Sequence, residues 1–157
     1  MSSPNEILVT LPGNRRVDAL VGAHRVRTDQ PRDNGGEDTA PSPFQLFLAS
    51  LGTCAGIFVQ GFCARRGIPF QDIRIRQKID VDAQGILRSV DLDIELPPDF
   101  PERYREALVR TVDQCSVKRA IQGQPTFRVR TTPAGQARPG PAASAEPLLA
   151  RPGSHGT

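Results

Sequence analysis

An α+β fold is what the sequence predicts, and three observations predict it. Residues 44–64 carry no charged side chain and lie between a helix-opening proline, Pro43, and a helix-ending Gly67 followed by Pro69. Two later segments, Ile73–Val81 and Val90–Leu96, alternate strictly between apolar and mainly charged residues, the signature of half-buried strands. Short strand-like stretches separated by turn residues precede the helix. The chain has 157 residues, enough for one domain with its own core, and its 38% hydrophobic and 24% charged residues fit a soluble globular protein.

Glu6–Leu11 and Arg16–Val21 read as strands joined at Pro12, Gly13 and Asn14, and His24–Thr28 as a third strand. Asp29–Ser42 is rich in Gly, Pro, Asp and Asn and reads as an ordered loop. Ser42 is the expected N-cap of the central helix, which runs from Pro43 to about Arg66. Apolar on every side, that helix is either a membrane span or the buried core of a soluble fold. The polar residues Gln45, Ser50, Thr53 and Gln60, and the strands on either side, favour the core. Gly52 and Gly56 lower helix propensity and are expected to admit a closely packed backbone.

Ile73–Val81 and Val90–Leu96 form a hairpin turning at Gln84 and Gly85. Its expected register sets Arg74 opposite Glu95, Arg76 opposite Asp93 and Lys78 opposite Asp91, with Ile75 meeting Ile94 and Ile79 meeting Val90. Asp99 to Glu102, with Pro101, has the form of a capping box. The helix after it places Tyr104, Ala107, Leu108, Thr111, Val112 and Cys115 on one stripe. Ser116 is expected to cap a short helix reaching Ile121, and Thr126–Thr131 to form a last strand. The folded domain is expected over residues 1–132, and residues 133–157, rich in Pro, Gly, Ala and Ser, read as a disordered tail.

A net charge of +3, 5% aromatic residues and no Trp leave no basic stacking surface, so no nucleic-acid partner is expected. The N-terminus has neither a basic nor an apolar leader segment, so no secretory signal and no membrane partner are expected. Three cysteines in such a chain fit a reducing, cytoplasmic setting in which a disulfide is transient and catalytic.

Chemistry points to the thiols. Cys54 lies inside the central helix, and Cys115 precedes a helix start with Lys118 and Arg119 nearby, where amides and basic groups favour thiolate. Cys63 is read as packing. The pattern leaves two readings of Cys54 open, a small buried hydrophobe or one half of a thiol pair with Cys115. His24 is the one histidine available to a Cys–His pair, since His155 lies in the tail, and a lone loop histidine is usually structural or solvated. No CxxC or HxxxH spacing supports zinc, and Gly35 and Gly36 form no phosphate-binding pattern, so no metal and no cofactor are expected.

On Gly35 and Gly36, on the run from Pro43 through Phe44, Gln45 and Leu46 to Cys54, on Arg66 to Pro69 and on Cys115 to Val117, the chain resembles the OsmC/Ohr family. These are the osmotically induced protein OsmC and the organic hydroperoxide resistance proteins, and the resemblance covers most of residues 5–132. It implies strongly bent antiparallel sheets around two central helices, an intertwined homodimer, and active sites at the subunit interface. It also implies a thiol peroxidase acting on small organic hydroperoxides. Cys54 matches the peroxide-attacking cysteine and Cys115 the resolving one, with an external dithiol or lipoylated protein as reductant. The family's peroxidases carry a glutamate in the helix-opening motif that holds an arginine against the thiolate. Here Phe44 stands at that position and Gln45 beside it. Arg32 is the first candidate for the arginine and Arg16 the second. The competing expectation is an OsmC-like protein without peroxidase activity that binds a small apolar ligand in the dimer cleft.

Overall fold

A computed structural model of the chain describes residues 6–133. Strands β1 (Ile7–Gly13), β2 (Arg16–Val21) and β3 (His24–Thr28) form an antiparallel sheet in that order. The first turn is tighter than the sequence indicates. Gly13 pairs with Arg16, and Asn14 and Arg15 both have positive φ, the two-residue turn whose twist suits a hairpin.

The loop after β3 is tied down by its own groups. Asp29 is fully buried and accepts from the Gln30 amide at 2.8 Å, the Thr39 amide at 3.0 Å and the Thr39 hydroxyl at 2.7 Å. These bonds hold its carboxyl down at a pKa of about 2, the Thr39 hydroxyl contributing most. A 3-10 turn at Arg32–Asn34 ends on Gly35 with φ 79°. Gly36 passes so close to the Gln30 carbonyl that any Cβ there would collide with backbone. The Gly35–Gly36 pair thus serves chain geometry.

Helix α1 (Pro43–Ala64) opens with a full capping box: the Gln45 amide donates to Ser42 Oγ, and the Ser42 amide donates to Gln45 Oε1 at 2.8 Å. The sequence already held that signal, a serine followed three residues later by glutamine. At the far end Ile68 N donates to the Cys63 carbonyl and Gly67 N to that of Ala64, with Gly67 at φ 64°. α1 buries Leu48, Leu51, Ala55, Val59, Phe62 and Cys63 along one face. It is not buried all round within one chain: Phe44 and Phe47 stay exposed, and Ile57 is 67% exposed. By length and composition it is the one described helix able to cross a membrane, and a third of its most apolar window is buried in the chain.

β4 (Arg74–Val81) and β5 (Leu87–Glu95) pair in the expected register, Arg74 with Glu95 through Ile79 with Val90. The ion pairing differs from that register: Arg76 bonds Glu95 diagonally at 2.7 Å, and Arg74 donates to the Gln71 carbonyl. The inner face lies on α1, where Gly52 meets the Gln77 side chain and Gly56 meets Ile75. The two glycines therefore admit side chains, not a neighbouring backbone. Gln77 Nε2 donates to the Leu48 carbonyl at 3.0 Å and pins strand to helix.

Asp99 makes no capping bond. The chain enters the next helix through a 3-10 turn at Glu102–Tyr104 with Pro101 as its cap, because burial of Phe100 fixes the entry direction. α2 (Arg105–Val112) then buries Leu108 and Val112 on the expected stripe, and Cys115 lies buried just beyond it. α3 (Ser116–Gln122) is capped by Cys115 itself, one residue earlier than expected. The core gathers α1, α2, Ile68 and Phe100, with Ile75 and Ile94 of the hairpin packed against it.

The strand expected at Thr126–Thr131 is not formed. It pairs with no strand among the described residues, and its apolar residues are bare, Phe127 at 86% and Val129 at 98% exposure. Strand pattern alone does not order a segment that lacks a ladder to join. The expected tail lies outside the described residues from 134 onward.

Candidate functional site

Cys54 and Cys115, 61 residues apart in the chain (115 − 54), are brought together. α1 carries Cys54 half-buried on the turn after Leu51, and α1 packs on both α2 and α3, whose junction carries Cys115. The main chain at Cys115 is held on both sides: its amide donates to the Val112 carbonyl, and its carbonyl accepts from Arg119 N.

Opposing forces act on the Cys115 thiol. Burial raises its pKa most, and side-chain contact with Cys54 raises it further. The backbone amides of Lys118 and Val117, in the first turn of α3, pull the other way, and the net direction is upward, toward the protonated thiol. Cys115 rather than Ser116 stands at the cap of α3, and the thiolate expected there from the sequence is disfavoured, because burial outweighs the helix amides.

Cys63 lies in the core with no exposed surface. Burial raises its pKa and the nearby Arg66 partly offsets this, so it stays a protonated packing group. Arg32 sits exposed in the 3-10 turn. Arg16 opens β2 half-buried, and its Nε is buried without a hydrogen-bond partner among the described residues. No arginine is among the groups that shift Cys115. His24 is exposed at the start of β3. Phe44 stacks on Phe47 with ring centroids 6.0 Å apart, and Gln45 is committed to the capping box. Neither supplies a carboxylate.

A cavity of about 760 Å³ opens beside Cys115, between β5 and α2 and reaching α3. Leu51, Leu92, Leu108, Val112 and Cys115 line it, with Lys118 at its edge. Its size falls in the range of small-molecule sites, about 300–1,000 Å³. Among the described residues no group of His, Cys, Asp and Glu side chains is arranged to hold a metal ion.

The arrangement, two neighbouring thiols where α1 packs on the junction of α2 and α3, is chemically suited to reversible disulfide formation. Sequence reading did not single out Asp29, whose partner Thr39 lies ten residues on with no recognisable spacing, nor Asp113, which pairs with Lys118 across Cys115.

Similar architecture occurs in solved structures. One from Psychrobacter arcticus, whose name associates it with osmotic stress induction and detoxification, is 20% identical, with 76% of this chain and 90% of that one covered and a TM-score of 0.66. An organic hydroperoxide resistance protein OsmC from Legionella pneumophila is 23% identical, with 75% and 88% covered and a TM-score of 0.50. The organic hydroperoxide resistance protein OhrB of Bacillus subtilis is 18% identical, with 76% and 90% covered and a TM-score of 0.50. No curated protein matches the chain. These likenesses establish the fold. The family model described as OsmC-like protein matches residues 35–130, a span that contains both thiols and the helices that bring them together, and the chain therefore belongs to the OsmC-like protein family.

Proposed function

We propose that the protein is a thiol-dependent peroxidase that reduces organic hydroperoxides through Cys54 and Cys115. The observation that carries this reading is the contact between the two thiols, the more exposed on α1 and the buried one at the cap of α3. The Cys54 thiolate attacks one oxygen of the O–O bond. That bond breaks, the alcohol leaves, and Cys54 becomes a sulfenic acid. The Cys115 thiolate then attacks the Cys54 sulfur. The S–S bond forms, the S–O bond breaks, and the hydroxyl leaves as water after taking up a proton. An external dithiol or a lipoylated protein returns both thiols by exchange.

The enzyme works as a homodimer in the cytoplasm, and its activating cation is an arginine. Arg32 and Arg16 are the two candidates. The unpartnered Nε of Arg16, already withdrawn from water, favours Arg16 over the exposed Arg32. Mass spectrometry after one equivalent of an organic hydroperoxide tests the reading. The wild type is expected to gain a Cys54–Cys115 disulfide, and Cys54→Ser to remain unmodified.

A second reading rests on Phe44 and on the apolar cavity. With no carboxylate to hold an arginine on the thiolate, an OsmC-like stress protein of this kind binds a small apolar ligand without turnover. Hydroperoxide left untouched in the presence of dithiothreitol or a lipoyl reductant would decide for it.

A further inference from the structure

A second cleft, of about 290 Å³, opens where α1 ends, and it shares no lining residue with the cavity beside Cys115. One wall is the turn that stops α1, residues 66–69, with Asp72 beyond it. The other carries Asp99, Arg103 and Tyr104, from the connection between β5 and α2. The thiol chemistry uses none of these residues. The Arg66 guanidinium stacks on Phe62, 3.7 Å from the ring centroid, and its Nη1 donates to the Phe62 carbonyl at 3.2 Å. Tyr104 meets Phe62 edge to face, and Arg66 and Arg103 lie 5.6 and 4.8 Å from the centre of the Tyr104 ring. We propose that this cleft binds a small zwitterion, a free α-amino acid, with its carboxylate on the two arginines and its ammonium on Asp72 and Asp99.

The physical reason is that the aromatic rings hold unlike charges apart inside one cleft. Two guanidiniums gather around one tyrosine, an arrangement that cation–π attraction supports and their mutual repulsion opposes. Both aspartates open onto the same cleft, yet none of the four charged groups joins an ion pair among the described residues. The Phe62 ring and carbonyl anchor Arg66, so its guanidinium is already in place for a ligand. A ligand with a single charge would leave either the cations or the carboxylates unanswered, whereas a zwitterion meets both. The arginine fork suits a carboxylate, which it grips through two parallel bonds. The volume sits at the small end of small-molecule sites, about 300–1,000 Å³, and so selects a compact amino acid. All four charged side chains are exposed to water, so the expected affinity is modest, with a Kd on the order of 1 mM. The inference does not rest on the peroxidase reading.

The test titrates the full chain, at constant ionic strength, with three probes of one shape. L-alanine carries both charges, lactate only the anionic end, and alaninamide only the cationic end. The readout is the set of backbone amide resonances over residues 66–72 and 99–104. L-alanine is expected to shift them with a Kd about fivefold below that of either analogue, the scale of one solvated charge pair. Arg103→Gln is expected to weaken alanine by a similar factor, and Arg103→Lys to keep most of its binding. The double variant Asp72→Asn/Asp99→Asn is expected to bind alanine no better than lactate. Alanine leaving those amides unmoved, or either analogue binding as tightly as alanine, would overturn the proposal. So would inorganic phosphate binding more tightly than alanine, which would mark a site for anions alone, or variants that bind as the wild type does. The comparison of the three probes on the wild type stands without any variant, so a variant that fails to fold leaves it decisive. Peroxide turnover is not a readout, so the peroxidase reading and this one stand or fall separately.

Discussion

Three cysteines in three environments give substitution a distinct outcome at each. In the proposed reaction Cys54→Ser abolishes turnover, and Cys115→Ser consumes about one equivalent of peroxide and stops at the sulfenic acid. Cys63→Ser keeps its activity but loses about 1–3 kcal/mol, because a hydroxyl takes the place of a thiol fully buried in the core. Peroxide consumption and urea denaturation check the three together. A Cys54–Cys63 disulfide in the oxidised protein would overturn this ordering, since nine residues of α1 separate them by about 13.5 Å of rise. Asp29 answers to pH. Its folded pKa, about 2, lies below its ordinary 3.8. Its contribution to stability is therefore complete above about pH 4 and disappears as the pH falls through about 2. Asp29→Asn is expected to lower stability at neutral pH and to flatten the acid limb over that window. Denaturation midpoints measured across the window check it, and an unchanged acid limb would show that the carboxylate does not anchor the loop.

At the scale of elements, the hairpin and α2 separate charge from burial. Arg76 and Glu95 pair in water, so Arg76→Ala should change stability by no more than about 1 kcal/mol. Leu108 is 1% exposed and packed between α1 and the hairpin face, so Leu108→Ala should cost about 2–5 kcal/mol. Urea denaturation of both variants tests the contrast, and similar losses would mean that the charged face carries more of the fold than its exposure implies. The register of β4 on β5 was legible because alternation and opposite charge agree on one alignment, even though Arg76 chose the diagonal Glu95. The start of α2 was less legible. Asp99 and Glu102 have capping-box spacing, but burying Phe100 redirects the chain and no cap bond forms.

At the scale of the whole molecule, one chain leaves too much apolar surface uncovered. β1 exposes residues on both faces, Leu11 at 81%, α1 exposes Phe44, Phe47 and Ile57, and Phe127 and Val129 lie bare. These surfaces lie on β1, α1 and an irregular segment after α3, which fits cover by a second copy better than a single small ligand site. A dimer is therefore expected by light scattering at micromolar concentration, with a melting temperature that rises with protein concentration. A monomer under those conditions would remove the interface at which the family resemblance sets the active sites.

What the sequence determined by itself is whatever depends on neighbours a few residues away. The three N-terminal strands, the stop of α1 at Gly67, the hairpin register and the buried stripe of α2 all follow from local periodicity and turn chemistry. The thiol pair was different: sequence pattern alone left Cys54 either a packing residue or a partner of Cys115, and only the family resemblance preferred the second. The tertiary structure brought the two together, because their meeting depends on how α1 packs across α2 and α3. It likewise decided that Cys115 caps α3, that Asp29 is buried, and that Thr126–Thr131 stays unpaired within one chain. Each of these rests on partners far along the chain, and no local pattern encodes such a distance.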